Sequence, residues 1–157
     1  MLRLLAHRPR SEAEVRRYLR RKDTPPDVVT EVIERLGREG YLDDVAFARF
    51  WVENRECFNP RGPRALRQEL RQKGLAEPLI EEALAGLDSE ASAYRAAHRR
   101  LRRWRGLEYA DFRRVVGGYL ARRGFDYDVI RDVVERLWME RETSGQVGKE
   151  TSRQGNK

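Results

Sequence analysis

Cysteine occurs once in this chain of 157 residues, at Cys57, and histidine only twice, at His7 and His98. A single cysteine excludes an internal disulfide and fits a reducing compartment. The two histidines lack any ligand-like spacing to Cys57, so neither zinc nor another metal is expected. There is no Gly-rich loop after a strand, no Walker-type lysine and no Gly-x-Ser-x-Gly turn, and no cofactor is expected. Asp43 and Asp44 are adjacent carboxylates, but at the start of a helix they read as caps that offset its dipole. No enzyme is expected. Long apolar runs are missing too. The opening "MLRLLAHRPR" is interrupted by Arg3, His7 and Arg8, so it lacks the apolar region of a signal peptide, and no later run is long enough for a bilayer. The expectation is a soluble cytoplasmic protein with no membrane partner, and a monomer.

What the chain has in excess is charge. Asp, Glu, Lys and Arg make up 38% of it and apolar residues only 39%, against the roughly 25% charged of ordinary domains. This balance favours an open, high-surface shape. Lys and Arg number 33 against 26 acids, a net charge of +7, which points to an acidic or polyanionic partner. Four of the basic residues are lysines (22, 73, 149 and 157), leaving 29 arginines. Genome composition and bidentate recognition of phosphate or carboxylate both account for that bias.

The periodicity is helical to about Trp138, with no sustained alternation of period two, so an all-α fold without a sheet is expected. The sequence also repeats itself. Val28, Val29, Val32, Ile33 and Leu36 form an apolar stripe; a shift of 51 gives Leu79, Ile80, Ala83, Leu84 and Leu87. A further shift of 50 gives Val129, Ile130, Val133, Val134 and Leu137. The same register pairs Val15 with Leu66 and Val116, and Leu19 with Leu70 and Leu120. Next come Lys22, Lys73 and Arg123, then Asp23, Gly74 and Gly124, where a left-handed residue can end a helix.

Each copy reads as three short helices. The first copy gives Met1 to about His7, Ser11 (with Glu14 as a capping box) to Lys22, and Pro26 to Arg38. The second gives Asp44 to Cys57, Pro63 to Lys73 and Glu77 to Leu87. The third gives Ser89 to Trp104, Tyr109 to Arg123 and Tyr127 to Met139. The expected organisation is three tandem three-helix repeats (1–42, 43–88 and 89–139) in an elongated, curved array. Residues 140–157 lack periodicity and are expected to form a disordered tail.

The arginines carry the functional reading. In the helix opening at Pro63, Leu66 and Leu70 lie on one side and Arg64, Arg67 and Arg71 on the other. From Arg61 to Lys73 five basic residues face one acid, Glu69. After Ser89, Tyr94, Ala97, Leu101 and Trp104 form the apolar stripe, and Arg95, Arg99, Arg100, Arg102, Arg103 and Arg105 lie elsewhere. No acid occurs between Ala91 and Leu107. Solvated faces usually mix signs for pairs at i, i+4, as Glu12, Glu14, Arg16 and Arg17 do. The stretch Arg95 to Arg105 does not, and an anionic partner would relieve its self-repulsion. Phe47, Phe50 and Trp51 share one helix face and read as core. The candidate contacts are Arg61, Arg64, Arg67, Arg71, Lys73, Arg99, Arg102 and Arg103.

"GYLDDVAFARFWVENR", followed by "RGPRALRQELRQKGL" and "IEEALAGL", resembles the RecX family of recombination regulators. The resemblance is carried by Phe47-Ala48, Arg55, Gly62-Pro63, Leu66, Glu69-Leu70 and Lys73-Gly74, and extends more loosely over residues 1 to 139. It departs in a very short first helix, a Gly117-Gly118 pair inside a helix and the polar tail. It implies a cytoplasmic bacterial protein of three three-helix units that binds the RecA recombinase filament within its helical groove. Damped ATP hydrolysis, strand exchange and co-protease activity are the implied effects. The alternative is a basic nucleic-acid-binding protein that competes for single-stranded DNA, with double-stranded DNA a further possible partner.

Overall fold

The structure, a computed structural model, describes the backbone of residues 2–154 and the side chains of residues 3–145. Its helices are α1 (Leu2–His7), α2 (Glu12–Arg21), α3 (Pro26–Arg38), α4 (Asp44–Phe58), α5 (Pro63–Gln72), α6 (Glu77–Leu84), α7 (Ser89–His98), α8 (Tyr109–Arg122) and α9 (Tyr127–Gln154). A 3-10 turn, Leu101–Trp104, stands between α7 and α8, and the described residues form no strand. Local chemistry sets the helix starts. Ser11 and Glu14 make the reciprocal capping box of α2, the Asp43 carboxylate accepts from the N–H groups of Val45 and Ala46, and proline opens α3 and α5.

Each three-helix group has its own core. Val15, Leu19, Val29, Ile33 and Leu36 form the first, and Phe47, Ala48, Val52, Leu66, Leu70, Leu75, Ile80 and Leu84 the second. The third gathers alanines of α7 with Trp104, Phe112, Val116, Leu120, Phe125, Val133, Val134 and Leu137. The repeat register predicts burial well. Val15, Leu66 and Val116 are wholly buried, as are Leu70 and Leu120. Burying each such side chain contributes about 1.5–3 kcal/mol relative to leaving it exposed. The first position of the stripe lies at the edge, where Val28 is exposed and Leu79 and Val129 are half-buried.

By packing, the chain divides into two compact units. One holds the residues up to Asn59 with Ala65–Leu87; the other holds Pro60–Arg64 with the chain from Asp88 onward. Inside each unit one seam recurs. Asp23, Gly74 and Gly124 all have the left-handed backbone the register predicts, with φ of 55°, 79° and 89°. In the first unit the Ser11 hydroxyl donates to the Lys73 carbonyl at 2.6 Å and Arg17 donates to the Gln72 carbonyl at 2.9 Å. In the second, the Gly62 N–H donates to the Arg123 carbonyl at 2.8 Å and Arg64 to the Ala121 carbonyl at 3.0 Å. A helix leaves its last carbonyls without intrahelical donors. Here the residues leading into the preceding repeat's middle helix, or in its first turns, satisfy them.

Three expected boundaries move. Instead of running to Trp104, α7 ends at His98, and the backbone tightens to i−3 bonds from Arg100 to Ala97 and from Arg103 to Arg100. Arginines at spacings of three and four repel on a continuous α-helix, and Gly106, at φ 82°, turns the chain toward α8. The end of α6 comes at Leu84, before Ala85-Gly86. Past Met139, the expected end of the last helix, α9 continues to Gln154. Its first residues beyond that boundary are tied to the third core: Glu140 accepts from Tyr94 and Arg136, and Arg141 donates to the Leu107 carbonyl. Residues 155–157 lie outside the described residues.

Candidate partner-binding surfaces

Of the eight predicted contact residues, six interact with the protein's own groups, Arg99 among them. Arg67 makes a two-point pair with Glu81, and Arg71 with Glu77, both acids supplied by α6. The cationic ridge read from α5 is thus largely neutralised by the next helix. Arg71, Glu77 and Glu81 are exposed and Arg67 is partly so, so these pairs contribute about 0–1 kcal/mol and open at little cost. Arg61 is half-buried beside the Pro60–Gly62 turn, and Arg64 caps the end of α8.

Lys73 has a structural post. Its ammonium donates to Glu14 at 2.8 Å, and Arg8 donates to the same carboxylate at 2.7 Å. Burial pushes the Glu14 carboxyl up, but hydrogen bonds from Arg8, Lys73 and the Ser11 N–H outweigh it and hold the pKa at about 2. Lys73 also lies 4.9 Å from the centre of the Trp51 ring, as does Arg55. The Trp51 indole N–H and Arg55 both donate to Glu69, and Phe47 stacks on Trp51 at 5.9 Å. Phe47 is in the core as predicted, with Trp51 packed against it, while Phe50 is half-buried. Asp44 reaches across to the N–H of Glu12 at the start of α2. Its desolvation by burial pushes its carboxyl up, a rise that the Glu12 N–H counters and neighbouring acids reinforce.

Arg99, which has a partner within the protein, and the remaining two, Arg102 and Arg103, belong to the second unit and lie together at the α7 break, all exposed. Among the described residues, the side chains of Arg102, Arg103 and Arg105 have no hydrogen-bond or ion-pair partner. Arg100 lies over the Tyr119 ring at 5.0 Å. In a 3-10 turn residues three apart eclipse, so Leu101 and Trp104 share the inner side of the turn.

Beneath this turn is a pocket of about 240 Å³, which the sequence reading did not find. Leu101, Trp104 and Phe112 floor it, and Glu140 and Arg141 border it from α9. The signal in the sequence was thin: Arg105 belongs to the acid-free stretch, but Glu140 and Arg141 lie past the last apolar residue of the repeat. No group of His, Cys, Asp and Glu among the described residues could hold a metal ion, and no helix there is long and apolar enough to cross a membrane.

Three family models match in chain order: "RecX, first three-helix domain" over residues 1–36, "RecX, second three-helix domain" over 43–84, and "RecX, third three-helix domain" over 88–134. A "Regulatory protein RecX" of Thermobifida fusca is 38% identical over 85% of this chain and 76% of its own length. One of Pelodictyon phaeoclathratiforme is 37% identical over 87% and 85%, and one of Mycolicibacterium smegmatis 42% identical over 85% and 74%. A crystal structure of regulatory protein RecX superposes with a TM-score of 0.74 at 28% identity, covering 86% of this chain and 68% of that one. A RecX structure from Lactobacillus salivarius reaches 0.77 at 24% identity, covering 88% and 92%, and is similar in fold.

Proposed function

Because the chain belongs to the RecX family of regulatory proteins, we propose that it binds the RecA recombinase filament in its helical groove. There it inhibits ATP hydrolysis, strand exchange and co-protease activity, acting by occupancy rather than by chemistry of its own. The observation that carries this reading is the match of all three family domains, in order, across residues 1–134. The proposed contacts are Arg99, Arg102 and Arg103 first, since the latter two have no partner among the described residues. Arg67 and Arg71 are available by opening exposed pairs with Glu81 and Glu77. Arg61, Arg64 and Lys73 complete the proposed set.

A second reading, competition for single-stranded DNA, draws support from the absence of any acid between Ala91 and Leu107. The two are separated by RecA's single-stranded-DNA-dependent ATP hydrolysis, with filaments preformed and DNA kept in excess of what the added protein alone can cover. Substoichiometric protein lowering hydrolysis supports action on the filament. Unchanged hydrolysis, with inhibition only when the protein meets DNA first, transfers the assignment to competition.

A further inference from the structure

The pocket under the 3-10 turn has a composition that neither packing nor the arginine surface explains. Its floor is apolar and aromatic, made by Leu101, Trp104 and Phe112. At about 240 Å³ it is smaller than the about 300–1,000 Å³ typical of drug-sized ligands. It has room for one planar ring system and none for a base pair.

Its rim is cationic with one carboxylate. Arg141 is fixed in place, donating to the Leu107 carbonyl at 2.9 Å with its guanidinium 4.8 Å from the centre of the Trp138 ring. His98, across the opening, stacks on Tyr94 at 5.5 Å. Glu140 is held by the Tyr94 hydroxyl at 2.7 Å and by Arg136. The Tyr94 hydrogen bond pulls the Glu140 carboxyl below its ordinary range, against a smaller desolvation effect, so it stays ionised at neutral pH. An ionised carboxylate at the mouth repels a phosphate but accepts the N–H donors on a base edge. A guanidinium plane is a stacking surface for a base. Arg105 also lines the opening, and Arg102 and Arg103 precede it in the same turn; all three are exposed and unpaired among the described residues.

We propose that this pocket takes one unpaired nucleobase of a single DNA strand, while the flanking phosphates of that strand lie on Arg102, Arg103 and Arg105. Choosing a DNA strand rests on the proposed action at DNA-bound filaments; the base-plus-phosphate chemistry rests on the pocket. Duplex DNA keeps its bases stacked and paired, so it reaches the arginines without entering the pocket. Base and phosphate make separable contributions: base stacking is sequence-tolerant and insensitive to salt, whereas each phosphate contact releases counterions.

The test uses the full chain without RecA and measures fluorescence anisotropy of a labelled single strand and of the same strand with abasic sites, across a range of salt. The strand with bases should bind about tenfold tighter than the abasic one at every salt concentration. Ser144 is exposed and borders the pocket, so Ser144→Trp fills the space without removing a contact. It should bring the base-bearing strand down to the abasic level and leave the salt slope unchanged. Arg102→Ala with Arg103→Ala should instead reduce the slope by about 1.4 for both strands. Equal binding of the two strands by the unaltered protein overturns the proposal, and needs no variant. A base preference that survives Ser144→Trp overturns this pocket as its source, and an unchanged slope in the arginine variant overturns the placement of the phosphates. None of these results depends on filament inhibition, so either reading can fail without the other.

Discussion

Gly74 answers to two requirements. Its φ of 79° is in the region that side chains rarely adopt, and a Cβ there would lie 2.3 Å from the Cβ of Ala13. Gly40 has the same φ with open space around it. Gly74→Ala should therefore cost about 2–4 kcal/mol, strain plus overpacking, and Gly40→Ala only about 1 kcal/mol, as read from urea midpoints. Glu14 supplies a second residue-scale prediction. Its folded pKa of about 2 is below the ordinary 4.5, so its stabilisation is complete above pH 4.5 and lost as pH falls through 2. Glu14→Gln should lower stability at pH 7 by about 2–4 kcal/mol, and the gap between variant and parent should close between pH 4.5 and 2. Circular dichroism of denaturant unfolding at each pH checks this; a gap that persists at pH 2 would show that the loss is one of packing. The family-like residues were legible as a pattern but not as a purpose. Arg55 and Glu69 hold Trp51, Lys73 holds Glu14, and Gly62 and Gly74 lie at seams, so the motif is largely what keeps the repeats assembled.

Helix α8 shows what can be read at the scale of an element. The Gly117-Gly118 pair stays helical, although glycine in a helix interior costs roughly 0.5–1 kcal/mol relative to alanine. A Cβ on Gly117 would meet only the Ile130 side chain, at an ordinary 3.6 Å. Gly117→Ala should thus stabilise the protein by about 0.5–1 kcal/mol, seen as a raised thermal midpoint; destabilisation would mean that the added methyl disturbs the packing of Ile130. Starts of helices were legible because Ser11, Asp43 and proline act within a few residues of themselves. The end of α7 was not, because its apolar stripe continues through Leu101 and Trp104 in a tighter winding that keeps both inward. The extent of α9 was missed for the opposite reason: nothing apolar marks Glu140 and Arg141, whose partners Tyr94 and Leu107 are 46 and 34 residues away.

At the scale of the whole molecule, the three-fold register at shifts of 51 and 50 made the nine helices of the described residues and most core positions readable. The neutralisation of the α5 ridge was hidden, because it depends on where α6 places Glu77 and Glu81. This bears on how the contact surface is probed. Reversing Arg67 and Arg71 would set new carboxylates against those two acids and disturb the fold along with any interface. Arg102→Glu with Arg103→Glu breaks no internal pair among the described residues. It should leave helicity intact and raise the concentration for half-maximal inhibition of RecA ATP hydrolysis by about tenfold or more, as loss of two charge-assisted contacts would. Full inhibition by this variant would remove the α7 break from the interface. The seams carry a consequence of another kind. Asp23 holds the left-handed turn with an exposed side chain, but at Gly74 the preceding copy's Ala13 stands in the way of any Cβ, and the Gly124 backbone in turn leaves no room for a Cβ on Gly62 of the copy before it. The copies are therefore ordered rather than interchangeable. A shuffled gene that moved the first copy into second place would bring an aspartate into a gap sized for hydrogen, a clash that the leading position does not impose.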